Sequence, residues 1–289
     1  MPIGILPVFL ALGVAAVPVQ GKETPAGPET VALKTDAERE DFLLKAEIVK
    51  RKNAKGGITG SVRATLKEGA FTHDAHIQDH DEYKSMMALS SGTEMDFRDS
   101  YKNNIAAYRI DRMLGLGMVP VTVLRRFDRK PAAYTWWVDN VKMEEKKRYQ
   151  EKIPAPDPDA WNHAIYVVRV FDQLIYNVDR NLGNLLIDED WRMWMIDHTR
   201  AFKIFKDLKT PKNLGDHCER KLLAGMRKLD ENTLKEQMKD LLAPSQVEGL
   251  MARRDRIVAY YDAKIAALGE DKVLYDLETT FTGTEAPPP

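Results

Sequence analysis

An α+β chain in two parts is what the sequence predicts: a small β-rich half over residues 35–141, then a mainly helical one over residues 142–274. Three observations carry this. Short alternating runs bounded by glycine and other turn residues recur between residues 56 and 140. A helix with a broad apolar stripe is written into residues 160–177. Three further helical stretches, near 220–229, 231–242 and 245–268, make up most of the remaining chain.

The 289 residues suffice for one large domain or two lobes around a proper core. Charged residues at 30% and hydrophobic residues at 44% describe a soluble globular chain. A net charge of −1 gives no general pull toward nucleic acid or an anionic membrane. Cys218 is the single cysteine, which excludes an intrachain disulfide and a cysteine-based zinc site. Residues 1–20 carry no charged side chain and contain the run ILPVFLALGVAAVPV. That run is short for a membrane span and suits the apolar region of a secretory signal, with small residues near Ala15 to Gly21 for cleavage. The expectation is an exported chain with a signal over residues 1–21, a linker over 22–34 and no stable membrane span. A misassigned start would make it cytoplasmic. Residues 275–289, ending in EAPPP, read as a disordered tail.

Residues 35–49 have helical spacing, with Thr35 or Asp36 as cap and Phe42, Leu43, Ala46 and Ile48 inward. Gly56, Gly57 and Gly60 then precede an alternating strand through Val62, Ala64 and Leu66. Such glycines let backbone N–H groups approach a phosphate, with Thr59, Ser61 and Arg63 as further donors. A hairpin turn without a ligand is the other reading. A strand over residues 72–78 carries His73 and His76, with His80 just beyond; half-exposed strand histidines are expected rather than a metal site. Residues 100–116 form the best helix of this half, with Ile105, Tyr108, Met113 and Leu116 buried and glycines at its end. Strands at 121–127 and 131–140 come next; Trp136 and Trp137 point to opposite faces, and packing is the default for both. A charged, solvated helix is expected over 142–152. A capping box of Ser245 and Glu248 is expected at the last long helix.

The chemistry lies in residues 176–202, YNVDRNLGNLLIDEDWRMWMIDHTRAF. Asp179 and Asn184 bracket a loop, residues 185–187 form a strand, residues 188–190 turn, and a second strand ends at Asp197. An antiparallel hairpin returns Asn184 and Asp197 to one end. Oxygen ligands so held suit a hard cation such as Mg²⁺, which takes few protein groups beside substrate phosphates. A surface hairpin with a polar turn is the bland alternative.

This arrangement resembles the catalytic core of the protein-kinase-like superfamily, whose D-x-x-x-x-N loop is followed by two short strands and a second metal-binding aspartate. The wording D-R-N-L-G-N with I-D-H looks like the atypical branch that holds phosphoinositide kinases, HipA-like kinases and secreted kinases. The resemblance covers roughly residues 56–202. It implies a two-lobed kinase-like fold and an ATP-dependent kinase using Mg²⁺ or Mn²⁺ on an unidentified hydroxyl acceptor, protein or small molecule. Asp179 would accept the acceptor proton, Asn184 and Asp197 would hold the metal, and Arg180 would either neutralise developing charge or fix the loop. Gly57, Thr59, Gly60, Ser61 and Arg63 would meet the phosphates, and the backbone from Val138 would meet the adenine. The family's Lys–Glu pair falls on Gln78 and Asn104, which suggests an amide–amide contact in its place. That exchange keeps two alternatives open: a pseudokinase or nucleotide-binding module without transfer, and another nucleotide transfer such as AMPylation.

Overall fold

A computed structural model of the chain describes residues 33–53, 61–90 and 92–277. The signal, most of the linker and residues 278–289 of the tail, like Gly57, Thr59 and Gly60, lie outside the described residues. Among the described residues no helix is long and apolar enough to cross a membrane.

The first helix, α1 (Asp36–Lys45), opens with a capping box in which Thr35 and Glu38 satisfy each other's backbone N–H groups. Phe42, Leu43 and Ala46 are buried as expected. The helix ends at Lys45, earlier than the spacing predicts, because Ile48 belongs to strand β1 (Glu47–Asn53) and pairs with Leu66. β1 leads an antiparallel sheet with β2 (Val62–Glu68) and β3 (Phe71–Gln78). Next comes a hairpin of its own, β4 (Asp81–Leu89) and β5 (Gly92–Ser100), which the sequence pattern does not announce. It feeds α2 (Tyr101–Met113), whose N-cap is Ser100. The turn after α2 is held by Asp111, a fully buried carboxylate that accepts from the N–H groups of Met118 and Val119 at 3.0 and 3.2 Å. Gly115 and Gly117 take φ of 71° and 67° there, a region that favours glycine.

β6 (Thr122–Phe127) and β7 (Lys130–Trp136) complete the five-stranded sheet in the order β1-β2-β3-β7-β6. Alternation assigns its faces. Ala64, Leu66, Ala75 and Ile77 are buried on one face, where Phe42 of α1 meets Trp136 edge-on at 5.9 Å. Arg63, His76 and Gln78 lie on the other, with His76 paired to Arg63 and to Thr135. Trp136 is core, whereas Trp137 is partly exposed and stacks on Arg63 at 4.0 Å.

The charged stretch after residue 140 differs from expectation. Residues Val141–Glu144 form strand β8, and the helix after it, α3 (Glu145–Gln150), has only six residues. Pairing with a partner strand outweighs helix propensity in so short a segment. α4 (Pro158–Leu174) buries Trp161, Val168, Phe171 and Leu174. β9 (Leu185–Asp188) and β10 (Met193–Met195) then form the expected hairpin, and β8 adds to it in the order β10-β9-β8. Asp188 closes the turn by accepting from Asp190 N and Arg192 N at 3.0 and 2.9 Å and from Trp194 Nε1 at 2.9 Å.

From Arg220 the chain is mainly helical, and a two-stranded parallel pairing joins β11 (Cys218–Glu219) to β12 (Leu274–Tyr275). α5 (Arg220–Lys228) and α7 (Pro244–Leu268) match two of the expected stretches, and α6 (Glu231–Gln237) starts where expected but ends five residues before Leu242. The cap of α7 is corrected: Gln246, not Glu248, reaches back, accepting from Ala243 N at 2.8 Å, because Pro244 sets the first helical position two residues earlier than a Ser245 cap would. Arg253 of α7 is fully buried and donates to the carbonyls of Leu174 (2.8 Å), Lys203 (3.1 Å) and Phe205.

Candidate active site

The site is built on a frame of internal bonds below two exposed carboxylates. α4 ends at Leu174, and its buried Asp172 accepts from Asn177 Nδ2 at 3.0 Å. The Asn177 side chain in turn accepts from Asp179 N at 3.1 Å, fixing the backbone that carries Asp179. Arg180 is spent on the same frame. Its guanidinium pairs with both oxygens of Asp172 (3.0 and 3.2 Å), donates to the carbonyls of Asn184 (2.9 Å) and Ile196 (2.8 Å), and meets His198 Nε2 at 2.9 Å. These bonds tie the Arg180 side chain into the loop between α4 and β9. Asn184 donates its side-chain amide to Asp179 O at 3.2 Å, and Ile196 N donates to Asn184 O at 3.1 Å. The hairpin thereby brings Asn184 and Asp197 to the same end, beside Asp179.

Electrostatics reflect the proximity. Asp179 holds its proton more tightly than an ordinary aspartate, first through desolvation, then through the charges of Asp197 and Asp99, with Arg200 and Arg180 pulling the other way. Asp99, at the end of β5, has a buried Oδ1 with no hydrogen-bond partner. Asp197 has φ of 54°, a left-handed backbone that a non-glycine residue adopts rarely. Thr199 donates its hydroxyl to Asp197 Oδ1 at 3.1 Å.

The opposite wall comes from β3 and α2. Asn104 Nδ2 donates to Gln78 Oε1 at 2.9 Å, so the two amides do meet. Asn104 Oδ1 also accepts from His198 N at 2.7 Å, which ties the pair to the residue after Asp197. His76 shares the strand face of Gln78, and burial lowers its proton affinity while the Asp197 carboxylate raises it. Sequence reasoning misses His76 and Asp99. His76 is within its reach, two residues before Gln78 on a strand and therefore on its face; Asp99 lies in the unannounced hairpin and carries no such signal. Arg63 is engaged: its guanidinium pairs with Asp74 at 2.6 Å and stacks on Trp137. Ser61 is buried just before β2, and Val138 is buried beyond β7. The three histidines separate: His73 binds Asp139 at 2.9 Å and stacks on Trp136 at 3.6 Å, His76 lies within range of the Asp197 charge, and His80 lies near Glu82 and Asp99.

Carboxylate and amide oxygens are the donor type that a divalent cation shared with phosphate oxygens takes. Three carboxylates act on one region, one with an unpartnered buried oxygen and another with raised proton affinity. Among the described residues no three or more His, Cys, Asp or Glu side chains are grouped as a cage that could hold a metal ion. A cation that keeps water and substrate oxygens needs no such cage.

No protein-family profile matches the chain, and no curated protein does. Solved structures do match. The Golgi casein kinase with Mn/ADP bound aligns at 14% identity with a TM-score of 0.59, covering 83% of this chain and 79% of its own. Hydra Fam20 with sugar aligns at 14% identity and 0.62, covering 86% and 97%. The Helicobacter pylori proinflammatory kinase CtkA aligns at 11% identity and 0.50, covering 78% and 98%. The chain has the two-lobed α+β fold of the atypical protein-kinase-like proteins.

Proposed function

We propose that the chain is an atypical kinase that transfers a phosphoryl group from ATP to a hydroxyl acceptor, with Mg²⁺ or Mn²⁺. The observation that supports this most is the meeting of Asp179, Asn184 and Asp197 on one bonded frame, across from the His76 and Gln78 face. A kinase of the same fold is known with Mn/ADP bound, which supports a nucleotide and a divalent cation here. In this reading residues 35–141 and 142–274 are the two lobes, and Asp179 orients the acceptor hydroxyl and takes its proton. The raised proton affinity of Asp179 suits that role. Asn184 and Asp197 hold the cation, which neutralises phosphate charge when bound. Gln78, Ser61 and Arg63 face the nucleotide together with Gly57, Thr59 and Gly60, while Asn104 orients Gln78 and the backbone near Val138 takes the base. Arg180 is a positioning residue. Export through residues 1–21 belongs to the same proposal.

A second reading, a nucleotide-binding module without transfer, is favoured by one bond. The Gln78–Asn104 contact supplies hydrogen bonding where the family places a cation and its carboxylate. Melting the full chain with ATP, with and without Mg²⁺ or Mn²⁺, tests both readings. Ligand at about 100 times its Kd stabilises by about 2.7 kcal/mol, or roughly 5 °C. We expect a metal-dependent rise that Asp197→Ala abolishes, together with transfer of labelled γ-phosphate to an acceptor or to water. A rise without transfer selects the binding module; no rise with any nucleotide or metal rejects both.

A further inference from the structure

The β4–β5 hairpin, inserted between β3 and α2, reaches the segment just after Asp197, and its contacts there are charged. Glu94 pairs with Arg200 through one carboxylate oxygen and with Lys203 through the other, the latter at 2.6 Å. Lys203 also donates to the carbonyl of Asp96, and Ile204 N donates to the Asp96 carboxylate at 3.0 Å. The Arg200 guanidinium lies over the Phe97 ring at 4.4 Å. The base of the hairpin continues the contact, Ser100 N donating to Thr199 O at 3.1 Å, and Asn103 of α2 reaches the carbonyls of Thr199 (2.7 Å) and Ala201 (3.1 Å).

Two cations of one segment thus share one carboxylate from a distant part of the chain. The Lys203 side chain is 1% exposed and that of Glu94 20%, so these charges are largely withdrawn from water. Desolvation lowers the proton affinity of Lys203, and Glu94 raises it again. Where a segment beside a catalytic centre carries such cations, an added phosphate is a common way to order them. Residues 200–209, RAFKIFKDLK, contain no Ser, Thr or Tyr to receive one. Thr199, just before them, is buried with its hydroxyl on Asp197.

We propose that Glu94 is the positioning residue for this segment: a permanent carboxylate, presented by the inserted hairpin, that holds residues 198–204 and hence the Asp197 loop in order without covalent modification. Its bearing on activity rests on the phosphotransfer reading. The ordering itself does not.

Hydrogen exchange of the full, metal-free chain tests it, comparing wild type, Glu94→Gln and Glu94→Asp. Removing the charge strands Lys203 and Arg200, so peptides covering 198–206 in Glu94→Gln should exchange at least about tenfold faster, with α4 and α7 unchanged. Glu94→Asp should return exchange to within about threefold of wild type, because it restores the charge. If Glu94→Gln fails to fold, Arg200→Gln removes one of the two cations, and the same peptides should loosen by a smaller factor. Unchanged exchange at 198–206 in the variants that fold overturns the proposal. So does loosening spread evenly over the whole chain in Glu94→Asp and Arg200→Gln, which would mean a general packing role. Nucleotide melts read the other question: no metal-dependent rise in wild type rejects the kinase reading and leaves the exchange result standing. A rise lost in Glu94→Gln and kept in Glu94→Asp links the two.

Discussion

Asn104 donates to Gln78 and accepts from the backbone N–H of His198, so one side chain spans helix, sheet and the loop after β10. Asn104→Leu keeps the size and removes both bonds. A buried N–H left without an acceptor costs about 1–3 kcal/mol. The variant should lose that much stability in urea unfolding, and the penalty should fall away in Asn104→Asp, which keeps the acceptor for His198. An equal loss in both variants would assign the effect to packing. The amide pair is legible in the sequence because each residue falls where the kinase-like superfamily that the sequence resembles places a charged partner. His76 is readable by alternation, which puts it on the face of Gln78 and His73 on the other, although three histidines at close spacing invite a reading as one group.

At the scale of elements, the β9–β10 turn shows what a single acidic side chain can organise. Asp188 accepts three hydrogen bonds, two from the backbone of the turn and one from Trp194. Asp188→Ala removes all three at about 1 kcal/mol each, a loss of roughly 2–3 kcal/mol. Because β10 leads directly to Asp197, we expect metal-dependent nucleotide binding to weaken along with stability. A melt showing the full stability loss with unaltered nucleotide response would separate the turn from the site. This hairpin is readable from its apolar strands and acidic turn. The β4–β5 hairpin is not. Its strands expose Tyr83, Met86 and Met95 and bury Phe97 and Asp96, so neither face carries a consistent apolar period. The stop of α1 is hidden for a related reason: Ile48 fits a helical stripe and a strand equally well, and pairing with Leu66 decides.

For the molecule as a whole, acid should act through buried imidazole. His198 is buried, and desolvation together with the neighbouring Arg180 charge holds its proton affinity well below the ordinary 6.5. The unfolded chain binds a proton below that pH which the folded chain refuses. The stability involved is complete above about pH 6.5 and is lost as pH falls, by up to about 1.4 kcal/mol per pH unit for each such group. His76 shifts in the same direction. Urea midpoints of metal-free protein should drop between about pH 7.5 and about pH 5.5, and His198→Asn should flatten the slope; an unchanged slope would place the proton uptake elsewhere.

The helical body is predictable as three stretches, yet nothing in its pattern joins it to the chemistry. Arg253 makes that link, gathering carbonyls from the end of α4 and from the segment after Asp197. A chain cut at residue 243 would retain every residue assigned to nucleotide, metal and acceptor, but not the guanidinium on which their supports converge. The boundary of the working unit is therefore set by a residue that touches none of them, and a minimal fragment must run through α7.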